Sequence, residues 1–69
     1  MFFEFKTKRN EKVLINVNHI LFITPTKNGT LLVDITQNDY ESHEPYENMA
    51  HRLNDLKYEK TTKTTKIIK

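Results

Sequence analysis

Residues 20–36 read Ile20-Leu21-Phe22-Ile23-Thr24-Pro25-Thr26-Lys27-Asn28-Gly29-Thr30-Leu31-Leu32-Val33-Asp34-Ile35-Thr36. Two β-prone runs flank Lys27-Asn28-Gly29, and Asn-Gly between such runs is the strongest short-range hairpin signal. Gly29 is the only glycine in the 69 residues. Asn28 and Gly29 both tolerate positive φ, which a type I′ turn requires. In the second run, Leu31, Val33 and Ile35 fall on one side by the period of two. Thr30, Asp34 and Thr36 fall on the other, with Leu32 among them. That alternation predicts a half-buried strand. Pro25 carries no N–H, so it ends regular pairing of the first run or confines that run to a sheet edge.

Working back from this hairpin, Asn18-His19 interrupts the chain. Before it stand Val13, Leu14, Ile15 and Val17, rich in β-branched residues. Phe2, Phe3 and Phe5 open the chain as another β-prone run, and the polar stretch centred on Arg9-Asn10-Glu11 between them predicts a turn. This is a first hairpin, with Val13, Ile15 and Val17 on one face. Working forward, Gln37-Asn38-Asp39 predicts a turn and Tyr40 to His43 a short fifth strand. Pro45 suits the first position of a helix. Tyr46, Met49, Ala50, Leu53 and Leu56 then form an apolar stripe at helical spacing. Glu44 and Glu47 complement the positive end of the helix dipole and Lys57 the other end. The predicted fold is therefore α+β: an antiparallel sheet of four to five strands, in two hairpins, covered by one C-terminal amphipathic helix. Residues 1–58 form the domain and 59–69 a basic tail.

The pattern V-L-I-N-V-N-H-I-L-F-I, then L-L-V-D-I, then E-P-Y-E-N-M-A-H-R-L resembles the small bacterial flagellar FlbD family. The matching positions are Asn18, Ile20, Ile23 and Glu44. An N-x-I-x-x-I stretch is also similar to one in β-rich LytTR-type DNA-binding domains. The resemblance spans roughly residues 2–56 and implies a fold; it implies no catalytic residues. The chain departs from the family in the first turn, where Arg9-Asn10-Glu11-Lys12 has no glycine.

Charge divides unevenly along the chain. Residues 57–69 hold five lysines against Glu59, a net of +4, while residues 1–56 hold six basic and eight acidic residues, a net of −2. An acidic domain thus carries a basic tail. The tail lysines Lys57, Lys60, Lys63, Lys66 and Lys69 recur every three residues, a period of neither strand nor α-helix. The asparagine- and lysine-rich composition is that of AT-rich bacterial or phage genes.

A chain this short buries only about 60% of its unfolded surface, so it needs a supplement. Without cysteine neither disulfides nor thiolate metal sites supply one, and association between copies is the default. No apolar run approaches the roughly 18 residues that span a bilayer. Met1-Phe2-Phe3-Glu4-Phe5-Lys6 lacks the basic start of a signal peptide. A cytoplasmic protein with no membrane partner is expected.

No phosphate-cradling glycine loop or nucleophile elbow occurs, so no catalytic residue and no cofactor are assigned. His43, Glu47 and His51 have the i, i+4, i+8 spacing of a zinc face. Pro45 places His43 before the helix, so a solvated polar face is expected and no metal. Asp39, Glu41, Glu44 and Glu47 gather negative charge near the helix start. That serves dipole compensation, or docks a basic partner. Two functional readings follow. The first is a non-catalytic interaction module that self-associates, most simply as a dimer, or docks on a protein partner through strand edges or Phe2, Phe3 and Phe5. The second is a nucleic-acid-binding regulatory protein using Lys6, Lys8, Arg9 and Lys12 with Lys60, Lys63, Lys66 and Lys69.

Overall fold

The computed structural model describes residues 1–56. The strands are β1 (Phe2–Lys6), β2 (Lys12–Asn16), β3 (Ile20–Thr26), β4 (Gly29–Asp34) and β5 (Asp39–Ser42). Residues 46–56 are α-helical, here α1, up to the last described residue. The α+β class is as the sequence predicts, but the strands do not form one sheet. β1 and β2 make a two-stranded antiparallel sheet, and β3-β4-β5 a three-stranded one. The separation has a local cause. A single 3₁₀ turn, Val17–His19, lies between β2 and β3. The Asn16 side chain accepts the Asn18 backbone N–H at 2.9 Å, an Asx cap that turns the chain out of the ladder. Backbone hydrogen bonds tie this turn to each sheet, Val17 N–H to Met1 C=O beside β1 and Ile35 N–H to His19 C=O beside β4, and Lys8 N–H to Glu41 C=O runs from the first hairpin to β5.

Each turn follows from its side chains. In the first hairpin the Thr7 hydroxyl accepts the Arg9 and Glu11 N–H groups, and Asn10 takes φ 69°, the left-handed position that glycine fills elsewhere. In the second hairpin Thr26 pairs with Gly29, so the loop is Lys27-Asn28 rather than Asn28-Gly29. Neither loop residue has positive φ, so the type I′ expectation fails. Gly29 is required for a different reason. A Cβ there would run into the Ser42 backbone oxygen and lie 3.0 Å from His43 Cα. The third turn lies earlier than expected, since Asp39 already belongs to β5. Asp34 organises it: its Oδ1 accepts the Thr36 N–H, the Thr36 hydroxyl and the Asn38 N–H at 2.7–3.0 Å. Gln37 takes φ 67°. His43 lies outside α1, and the Pro45 carbonyl accepts the Met49 N–H as the helix begins.

One core joins both sheets and α1. Phe3, Phe5, Ile15, Val17, Leu32, Met49 and Leu53 are buried in it, with Val13, Ile20, Ile23, Tyr40 and Leu56 packed around. The Phe3 and Phe5 rings stack at 5.9 Å, and Phe5 meets Tyr40 edge-on at 5.8 Å. Ring pairs of this geometry add about 0.5–1.5 kcal/mol beyond burial. On β4 the buried side is the one that carries Thr30, Leu32 and Asp34, while Leu31 and Val33 are half-buried and Ile35 exposed. The apolar side of the alternation therefore does not face the core. The inward polar groups are satisfied: the Thr30 hydroxyl donates to the Glu44 carbonyl at 2.7 Å, and Asp34 caps its loop.

Candidate interaction surfaces

Turning β4 this way leaves a large apolar area on the outside of the three-stranded sheet. The ladder aligns Phe22, Val33 and Asp39 in one outward row and Thr24, Leu31 and Glu41 in the next. β3 adds a second large residue by an irregularity. Its register shifts between Ile20 and Phe22. Ile20 and Ile23 both pack on the core, so Leu21 and Phe22 are both turned outward. Leu21 is 57% exposed, Phe22 48%, and Ile35, just past β4, 53%. β3 has a neighbour on one side only, so Pro25 stands on an edge strand.

The opening phenylalanines divide. Phe3 and Phe5 are 1% and 3% exposed and belong to the core; only Phe2, at 58%, is outside. The expectation that all three form an interface is corrected for Phe3 and Phe5: strand alternation turns them inward, against each other and against Tyr40. Phe2 shares the outer face of the first hairpin with Leu14, its diagonal neighbour across the ladder.

The basic residues of the first hairpin are also separated by what they touch. Lys6 and Lys12 stand directly opposite each other on the outer face, and Arg9 is exposed in the turn. Lys8 is drawn to β5, its Nζ 3.6 Å from Glu41. Around Lys8 and Arg9 a cavity of about 430 Å³ is also lined by Glu11, Asp39 and Glu41, a mixed-charge setting rather than a basic groove. Lys60, Lys63, Lys66 and Lys69, and the expected boundary at residue 58, lie outside the described residues.

Of the acids expected to gather near the helix start, Glu41 pairs with Lys8 and Glu44 with Arg52. Glu44 is held bidentately by Arg52, Nε–Oε2 2.8 Å and Nη2–Oε1 2.7 Å, and accepts from Asn48 at 2.7 Å. Arg52 also donates to the Glu4 carbonyl at 3.0 Å and lies 4.4 Å from the centre of the Phe3 ring. Its guanidinium hydrogen bonds hold the Glu44 carboxyl below its ordinary value, and Glu44 in turn raises Arg52. The Thr36 hydroxyl, followed by backbone N–H groups, lowers Asp34 against the opposing effect of burial. These carboxylates are structural. Helical spacing does not show the Glu44 pairing, because Arg52 stands eight residues after Glu44 and is also held by the Glu4 carbonyl of β1. Among the described residues, no group of three His, Cys, Asp or Glu side chains is placed to hold a metal ion, and no helix is long and apolar enough to cross a membrane.

Comparison with known proteins adds nothing to this surface description: no family model, no curated protein and no solved structure matches the chain.

Proposed function

We propose that this chain is a small non-catalytic module that self-associates through the outer face of the β3-β4-β5 sheet. The carrying observation is the exposure of Leu21 and Phe22 side by side at the β3 irregularity, with Leu31 and Val33 half-buried beside them. Contiguous exposed apolar side chains of this size on a small domain mark an interaction site. The occupant of this face is a second copy of the chain. The core is small and no disulfide reinforces it, so burial between copies supplies stability that the single chain lacks. A closed dimer would bring the same face of both copies together. Face-to-face packing is favoured over strand addition, because Pro25 leaves the free β3 edge one N–H donor short.

Sedimentation of the full chain tests this reading. A mass above the 8.3 kDa of one chain at tens of micromolar is expected. Replacing Leu21 and Phe22 together by threonine, a residue suited to strands, should return the mass to that of one chain while the far-ultraviolet spectrum is kept.

A further inference from the structure

The outer face of the first hairpin carries a second pattern, independent of the three-stranded sheet. Lys6 and Lys12 are directly opposed in the β1–β2 ladder, and like charges so placed repel. Among the described residues the ion pairs are Lys8–Glu41 and Arg52–Glu44, so neither lysine is neutralised, nor is Arg9 at the turn. Farther along the same face of β1 stands Phe2, its ring exposed. Four residues of strand separate it from Lys6, about 13 Å at the usual rise. One end of the ribbon face is thus cationic and the other offers an aromatic surface. Glu4 lies between them, Glu11 stands beside the turn, and Arg9 shares its cavity with Asp39 and Glu41, so the cationic character centres on the opposed Lys6 and Lys12.

We propose that this face binds single-stranded nucleic acid, with backbone phosphates on Lys6, Lys12 and Arg9 and a base stacked on Phe2. Phosphates resolve the repulsion between the opposed lysines, which an apolar partner would make worse. An exposed ring takes the face of an unpaired base, which a duplex keeps within its own stack. The strand, rather than the duplex, is therefore the ligand.

The test titrates a short labelled oligothymidylate with the full chain, following anisotropy at several salt concentrations. Binding at low salt that weakens as salt rises is expected. Lys6→Gln with Lys12→Gln should reduce the slope of log affinity against log salt by about 1.4, two single-strand phosphate contacts. Phe2→Ala should weaken binding about fivefold or more at constant salt. A duplex of equal length should bind less tightly than the strand. Absence of binding at low salt overturns the proposal. So does an unchanged slope in the double lysine variant, which would move the contacts to the lysines beyond residue 56. Competition by polyglutamate as effective as that of the strand would show a general polyanion surface and would also overturn it. Melting curves confirm that the variants fold, and sedimentation of the same samples keeps this result separate from self-association.

Discussion

Asp34 shows how much one side chain can decide. It is buried at the end of β4, and its carboxylate collects two backbone N–H groups and a hydroxyl of the Ile35–Asn38 turn, fixing the turn's shape. Its folded-state pKa is lowered, as is that of Glu44. A carboxyl lowered on folding stabilises the protein above its ordinary value, and that contribution disappears as pH falls through the lowered one. The urea midpoint is therefore expected to be level near neutrality and to drop on the acid side of the ordinary carboxylate range. Asp34→Asn should make that drop shallower; an unchanged profile would contradict the role given to Asp34. Backbone conformation gives a second residue-scale test. Gln37 pays the left-handed penalty with an ordinary side chain, so Gln37→Gly should stabilise by up to about 1 kcal/mol in the same urea experiment. Gly29→Ala should destabilise by about 1–3 kcal/mol, because the added methyl meets the β5 backbone.

At the scale of elements, Arg52 ties α1 to β1 by holding Glu44, the Glu4 carbonyl and the face of Phe3 at once. Lysine cannot reproduce the fork or the stacking. Because the side chain is 41% exposed, Arg52→Lys should cost only about 1 kcal/mol, read from the thermal midpoint. The elements themselves were largely legible in the sequence. Ile20–Thr26 matches the expected strand, Pro25 stands on an edge while the pairing continues through it to Thr26, and the stripe Tyr46, Met49, Ala50, Leu53 and Leu56 is buried or half-buried on α1, together with Arg52. What stayed hidden depends on contacts distant in sequence or on a local slip of register. A period of two says which residues share a face of β4 but not which face is covered. Thr30 and Asp34 look solvent-facing until the Glu44 carbonyl and the 34–38 turn supply their partners. The β3 irregularity has no sequence signature, yet it is what puts Leu21 and Phe22 on the same side. The two-sheet arrangement was missed for a similar reason: Asn18-His19 reads as an interruption, but the Asx cap that makes it a corner needs the geometry of Asn16.

At the scale of the whole molecule, the sequence divides into an acidic domain and a basic tail, and the tail lies outside the described residues. Within the domain, Glu41, Glu44 and Asp34 each have an ion pair or hydrogen bond, and an apolar outer sheet face is left exposed. Burying that face between two copies lowers the exposed apolar area of both, so thermal stability should rise with protein concentration. A midpoint independent of concentration would oppose this. The most direct measurement is sedimentation equilibrium of the unmodified chain beside Leu21→Thr/Phe22→Thr, from low micromolar to near-millimolar concentration. Self-association through this face predicts a multiple of 8.3 kDa for the first and a single-chain mass for the second. A single-chain mass for the unmodified protein throughout, or an unchanged multiple in the folded double variant, would contradict it.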